Sequence, residues 1–144
     1  QCLVGSEMCI RDRGTVNNWC KGVIVWNLML DTERGPNREG GCRTCYGAVD
    51  IDKSDYKTMT YNSHYYIIGH LSAVVKPGAF RIESKSSGDN GLMYAAFENP
   101  DGTVAFVVLN AGEDTSVFSL TIDGKNYLNG ELPAKSVGSY LWKK

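Results

Sequence analysis

The stretch "LMYAAFENPDGTVAFVVLN" (92–110) decides the fold of this 144-residue chain. Two runs rich in β-branched and aromatic residues flank the four residues Asn-Pro-Asp-Gly, 99–102. Pro, Asp and Gly at successive positions are typical of a tight turn, and two such runs on either side of it are typical of strands. The stretch therefore predicts an antiparallel β-hairpin.

Four further short segments on either side of this hairpin have the same character. In "SVFSLTI" (116–122), Phe118, Leu120 and Ile122 alternate with polar residues, and Asp123-Gly124 follows as a turn. The others are "AFRIESK" (79–85), "KNYLNGEL" (125–132) and "SVGSYLWK" (136–143). About six strands at this spacing are typical of a sandwich or barrel. We predict a mainly β fold, with residues 79–144 forming a β-sandwich domain.

The upstream residues have a different pattern. "GVIVWNLML" (22–30) is a continuous apolar run, as in a strand buried on both faces. A polar loop follows from Asp31 to about Lys57. "YNSHYYIIGHLSAVVKPG" (61–78) then predicts a helix that Asn62 or Ser63 caps and Pro77-Gly78 ends. These elements predict one strand–loop–helix unit.

Composition and net charge indicate which kinds of molecule the protein is not expected to bind. Hydrophobic residues make up 42% of the chain and charged residues 22%, which is a normal globular mix. The formal net charge of −1 gives no reason to expect a nucleic acid or an anionic membrane as partner. No apolar run approaches the roughly 20 residues of a membrane-spanning helix, so no membrane span is predicted.

The first 13 residues do not fit the rest. Gln1–Arg13 has no basic start, apolar run or small-residue cleavage site, so it is not a signal peptide. Leu3–Asp12 is instead the translation of CTC GTG GGC TCG GAG ATG TGT ATA AGA GAC, which resembles a transposase-type sequencing adapter. We expect 1–13 to be non-native and the native sequence to start near Gly14. We also expect the chain to be truncated upstream.

Cys42 and Cys45 form a C-x-x-C pair in the Gly-rich loop. Zinc would need further Cys or His ligands, and a thioredoxin-type site would need the pair at a helix start. A small disulfide in an exported protein is favoured, with two reduced thiols as the alternative. We expect no metal and no cofactor.

Two other features of the upstream region could bear chemistry. Trp26-Asn27 ends the first predicted strand; a tryptophan there is either core or a platform for a ligand. Carboxylates in the following loop could in principle act on a glycosidic bond, although loop carboxylates are usually only solvated. They are Asp31, Glu33, Glu39, Asp50, Asp52 and Asp55.

Four stretches, in order, resemble glycoside hydrolase family 30, which includes glucosylceramidase-like β-glucosidases and endo-β-1,6-glucanases. They are "NNWCKGVIVWNLMLDTERGPN" (17–37), "GGCRTCYGAVDI" (40–51), "YNSHYYIIGHLSAVVKPGAFRIES" (61–84), and "DGTVAFVVLN" (101–110) with "SVGSYLW" (136–142). The resemblance implies a (β/α)₈ barrel with a β-sandwich beside it. Residues 14–78 would be the end of the barrel (strand 8, loop and helix 8), and 79–144 the sandwich.

The resemblance also implies retaining hydrolysis by two glutamates on the fourth and seventh barrel strands. Both would lie upstream of this chain, so we assign no catalytic residue here and expect the chain alone to be inactive. Trp26 matches a tryptophan that lines the −1 sugar site, and Asn27 follows it as in the family. Gly41 falls near a loop asparagine of the animal glucosylceramidases, which favours microbial glucan or oligosaccharide as substrate over ceramide.

The resemblance thus predicts a secreted or periplasmic β-glycosidase, its signal peptide lost by truncation. Its substrate would be a β-glucan, an oligosaccharide or a glucosyl-lipid. Two alternatives stay open for 79–144. It could be a non-catalytic carbohydrate-binding module with Trp and Tyr platforms, or a structural sandwich that braces the barrel.

Overall fold

A computed structural model describes residues 27–88 and 91–143, which form two compact units, one up to residue 69 and one from residue 70. The predictions for 1–13 and for Trp26 lie outside the described residues. The structure is mainly β, as the sequence predicts. No helix in the described ranges is both long and apolar enough to cross a bilayer.

The first unit contains a small three-stranded sheet. Strand β1 (Met29–Asp31) pairs in parallel with β2 (Val49–Ile51), and β2 pairs antiparallel with β3 (Met59–Tyr61). Most of the predicted strand 22–30 lies outside the described residues. In its described part, Leu28 is 71% exposed and the strand begins only at Met29. The predicted loop from Asp31 to Lys57 was wrong at 49–51, where β2 lies.

Helix α1 (Ser63–Ser72) is shorter than the predicted helix, which extended to Pro77-Gly78. The reason is the side chain of Asn99. Its Oδ1 accepts from the Lys76 backbone N–H at 2.9 Å, and its Nδ2 donates to the Val74 carbonyl at 2.9 Å. Backbone groups that would extend the helix are bonded instead to the start of a hairpin turn.

The described part of the second unit contains six strands in two sheets. The four-stranded sheet has the order β4 (Phe80–Ile82), β5 (Leu92–Glu98), β6 (Val104–Asn110), β9 (Ser136–Trp142), with all neighbours antiparallel. The two-stranded sheet pairs β7 (Ser116–Thr121) with β8 (Tyr127–Leu132). Each strand predicted from the sequence between 79 and 143 is confirmed.

The core of this unit lies between the two sheets. All seven residues of β6 are buried, as expected of a central strand covered on both faces. The core residues Ala96, Phe106, Val108 and Leu132 are packed against by partly buried hydrophobic side chains. These side chains are Ile82, Leu92, Tyr94, Phe118, Leu120 and Tyr140. Two sheets joined through interdigitating apolar faces are a β-sandwich.

Candidate functional site

Asn27, a predicted substrate-binding residue, begins the described part of the first unit. Its carbonyl accepts from the Ala48 N–H at 3.0 Å, which extends the β1–β2 pairing by backbone hydrogen bonds. Its Oδ1 is buried and has no hydrogen-bond partner among the described residues. A buried amide oxygen without a partner is costly, so this atom is suited to accept a hydrogen bond from a ligand or from residues outside the described ranges.

Gly47 has no side chain, and this keeps the space beside Asn27 Oδ1 free. A Cβ at Gly47 would lie 2.9 Å from the Val49 carbonyl oxygen and 3.2 Å from Asn27 Oδ1. The backbone atom cannot move without disturbing β2, so a side chain is excluded here. Asn62, just before α1, donates from Nδ2 to the Gly47 carbonyl at 3.0 Å and holds this glycine in place.

The turn after β1 is closed by a carboxylate. Asp31 is 7% exposed, and its Oδ1 accepts from the backbone N–H groups of Glu33 at 2.9 Å and Gly35 at 2.7 Å. The Asp31 N–H donates to the Gly35 carbonyl at 2.9 Å. A Cβ on Gly35 would lie 2.7 Å from Asp31 Oδ2. The turn Asp31–Gly35 is therefore fixed by its own sequence.

The side chain of Arg34, in that turn, contacts two segments that come later in the chain. Its Nη1 lies 3.1 Å and 3.2 Å from the two carboxylate oxygens of Asp50 on β2. Its guanidinium carbon lies 4.0 Å from the ring centroid of Tyr46. The backbone φ of Arg34 is 70°, in the left-handed region that favours glycine.

Cys42 and Cys45 are joined by a disulfide in the structure. Their Cα atoms lie 5.8 Å apart, within the usual range for such a bond. Cys45 directly precedes Tyr46, so the crosslink constrains the segment that carries the tyrosine.

The structure separates the predicted loop carboxylates. Asp31 accepts hydrogen bonds from backbone N–H groups of the turn, and Asp50 accepts from the Arg34 side chain. Glu33 is exposed and pairs with Lys53, and this hydrogen bond raises the pKa of Lys53. Backbone N–H groups of Thr58 and Lys57 lower the pKa of Asp55. In the described part of the chain, no three His, Cys, Asp or Glu residues are grouped so that they could hold a metal.

The second unit contains a cleft of about 1340 Å³ between its two sheets. Its aromatic side chains pack against one another. Tyr94 stacks on Phe106 with centroids 6.0 Å apart, and Phe118 meets Tyr140 edge to face at 5.7 Å. These rings pack against one another on the facing sides of the two sheets, so they do not form an exposed platform for sugars.

The sequence did not identify Arg34, Tyr46 or Gly47 as part of the site. The positive φ of Arg34 and its contacts with residues 12 to 16 positions away depend on the folded chain. The only local signal was the turn-forming Gly35-Pro36-Asn37 that follows. His70 Nδ1, in α1, forms a 2.9 Å hydrogen bond with Ser139 Oγ on β9, a contact that no local pattern in the sequence indicates.

Comparison with known proteins finds a match for most of the second unit. The profile of the glycosyl hydrolase family 30 beta sandwich domain matches residues 78–140. Residues 78–140 are therefore similar to the β-sandwich domain of this family. The resemblance stated from the sequence is thereby confirmed, and the matched range contains β4 to β8 and most of β9.

Relatives of the whole chain come from the same family. It is 32% identical over 133 residues to endo-1,6-β-D-glucanase neg1 of Aspergillus fumigatus, covering 89% of this chain and 27% of the relative. It is 29% identical to lysosomal acid glucosylceramidase of Mus musculus, in a match that covers 85% of this chain and 23% of that relative. The solved endo-β1,6-glucanase BT3312 superposes with a TM-score of 0.85 at 62% identity, covering 92% of this chain and 29% of that one.

The chain therefore spans about a quarter of the length of the curated family 30 relatives it matches. These relatives are glycoside hydrolases by name, and the chain is similar to their matched segment over both of its units.

Proposed function

We propose that the chain is the C-terminal part of a secreted retaining β-glycosidase that hydrolyses β-1,6-glucan. The observation that supports this substrate best is the 62% identity to an endo-β1,6-glucanase, against 29% to a lysosomal glucosylceramidase. The Cys42–Cys45 disulfide is consistent with an oxidising compartment such as the extracellular space or the periplasm.

In this proposal, Trp26 and Asn27 line the −1 sugar subsite, and the two catalytic glutamates belong to the missing upstream part of the barrel. The buried, unpartnered Oδ1 of Asn27 is consistent with such a role, since a sugar hydroxyl could donate to it. Retaining hydrolysis needs both carboxyl groups, one as acid/base and one as nucleophile. The isolated chain should therefore have no hydrolytic activity.

The sandwich has a structural role in this proposal. Its aromatic residues pack into the core, which leaves few rings free to bind a sugar and favours bracing over carbohydrate binding. The exposed aromatic side chains of Phe80 and Tyr127 are exceptions, and the Tyr127 hydroxyl donates to the Gly124 carbonyl at 3.2 Å.

A chimera tests the proposal. Residues 14–144 replace the matching segment of the endo-β1,6-glucanase BT3312, and reducing ends released from linear β-1,6-glucan and β-1,3-glucan are measured. We expect the chimera to cleave the β-1,6-linked polymer and the isolated chain to cleave neither. Trp26→Ala should lower kcat/KM by about 100-fold or more, in line with loss of a substrate-positioning contact.

Trp142→Phe on β9 is the matched control, because it changes a tryptophan of the sandwich and leaves the subsite intact. A chimera that cleaves only another linkage, or an isolated chain that cleaves β-1,6-glucan, would contradict the proposal.

A further inference from the structure

The backbone of Arg34 is strained. At φ 70° its conformation is one that glycine adopts freely and that other residues adopt at a cost. Such an outlier persists only where the surroundings hold it, and it points to a role for the side chain. Glycine would fit this turn without strain, yet the residue present is a long cation.

The side chain contacts two segments that are distant in sequence. Asp50, 16 residues later, accepts from Nη1 through both oxygens, and the two side chains are only 24% and 16% exposed. Tyr46 contacts the guanidinium through its ring at 4.0 Å, within the range of a cation–π interaction. Arg34 thus joins the turn after β1, the middle of β2 and the residue that follows the disulfide.

These contacts lie on the same ladder as Asn27. Asp50 is the register partner of Leu30, at the centre of the β1–β2 pair. The same pair continues through the hydrogen bonds of Leu28 with Val49 and of Asn27 with Ala48. Fixing Asp50 and the turn therefore fixes the strand pair from which Asn27 is presented.

We infer that Arg34, held between Asp50 and Tyr46, is a positioning residue that sets the placement of Asn27. This inference rests on the proposed function for its substrate, a β-1,6-linked glucan. Arg34 acts through the turn and β2 and need not touch the sugar. The role requires a planar cation, because lysine can pair with Asp50 but cannot stack on Tyr46 in the same way.

The contacts of Arg34 with Asp50 and Tyr46 are called the Arg34 clamp. Hydrogen exchange on the full chain tests whether this clamp holds the turn after β1. The diagnostic variant is Arg34→Gly, which relieves the backbone strain and removes the side chain. We expect exchange at the Glu33 and Gly35 amides to become about ten-fold faster while the melting temperature stays equal or rises. Arg38→Gly, which removes an exposed arginine from the same loop, should leave both amides unchanged.

Kinetics of the BT3312 chimera test the role toward substrate. Arg34→Gly should raise KM for β-1,6-glucan about five-fold or more with kcat nearly unchanged, which a merely structural role would not do at equal stability. Tyr46→Leu should also raise KM. Tyr46→Phe keeps the aromatic ring, so its KM should stay close to that of the unsubstituted chimera.

The two measurements separate the two hypotheses. Unchanged amide exchange in Arg34→Gly, or an unchanged KM in an active chimera, would overturn the positioning role. A chimera that is inactive before any substitution would count against the proposed function, and the exchange rates would then decide whether the clamp exists.

Discussion

The side chain of Asn110 makes four hydrogen bonds within the sandwich. It is 2% exposed at the end of β6, and its Nδ2 lies within 2.7–3.1 Å of the carbonyls of Asp114, Leu132 and Pro133. Its Oδ1 accepts from the Gly112 N–H at 2.9 Å. One amide therefore satisfies backbone groups from the loop after β6 and from the end of β8.

We predict that Asn110→Leu lowers the free energy of unfolding by about 3 kcal/mol, because it leaves several backbone groups buried without partners. Urea unfolding followed by tryptophan fluorescence measures the loss. Asn129→Ala is the control, since Asn129 is exposed and bonds only to Ser119 among the contacts described. A loss for Asn110→Leu no larger than that of the control would contradict the prediction.

Asp101, in the β5–β6 turn, has a strongly lowered pKa. The Lys76 ammonium donates to its carboxylate, and Thr103 adds its hydroxyl at 2.7 Å and its N–H at 3.2 Å. The pKa of Asp101 is about 4 in the unfolded chain and lower in the folded chain. The carboxylate therefore stabilises the folded state fully above about pH 4, and this stabilisation is lost as the pH falls toward the pKa of the folded state.

We therefore predict that Asp101→Asn is less stable than the parent chain at pH 7 and that the difference narrows below about pH 4. Urea midpoints at pH 7 and pH 2.5 check this. Glu131→Gln, which replaces an exposed carboxylate on β8, serves as the control. A difference that stays constant across this range would show that the Asp101 charge is not the cause.

At the scale of single residues, the sequence anticipated little of this. The two asparagines that organise the turns, Asn99 and Asn110, look like ordinary strand ends. Their importance comes from backbone N–H and carbonyl groups that the fold brings to them from 22 to 25 positions away. The Cys42–Cys45 pairing was favoured from spacing and context, which are local.

At the scale of elements, the sequence predicted the sandwich strands because turn residues and alternation are both local signals. The Pro100-Asp101-Gly102 turn has Gly102 at φ 78°, a conformation that glycine adopts without strain. Strand β2 was missed because it is only three residues long, with an aspartate at its centre. Its pairing with β1 is what defines it as a strand.

Two glycines in regular elements should respond oppositely to alanine. Gly130 on β8 lies opposite Phe118 on β7, and a Cβ there would meet the ring at 2.5 Å. The ring is itself packed against Tyr140 and Phe106 and cannot easily move away. Gly69 in α1 has nothing within 4 Å of its Cβ position.

We predict that Gly130→Ala lowers the free energy of unfolding by about 1–2 kcal/mol through overpacking. We predict that Gly69→Ala raises it by about 0.5 kcal/mol, because alanine favours a helix over glycine. Both are measured by thermal and urea unfolding of the full chain. Equal effects of the two substitutions would refute the packing explanation.

At the scale of the whole molecule, fold class and family could be predicted because the ordered motifs extend over both units. The site could be predicted only in part. Trp26 and Asn27 were chosen by resemblance, whereas the Arg34 clamp depends on a turn, a strand and a crosslinked loop meeting in space. No periodicity or spacing in the sequence encodes such a meeting.

The β7–β8 hairpin has a consequence for how the molecule moves. Among the described residues it is a two-stranded sheet that shares no backbone hydrogen-bond ladder with the four-stranded sheet, and a hairpin alone is only marginally stable. Its Leu132 end is tied down by Asn110, while the turn at Ile122–Tyr127 is exposed. We expect local opening of this hairpin to cost less free energy than unfolding of the four-stranded sheet. Each such opening would expose the rings of Phe106 and Tyr140 to water, since both rings pack against Phe118 of β7.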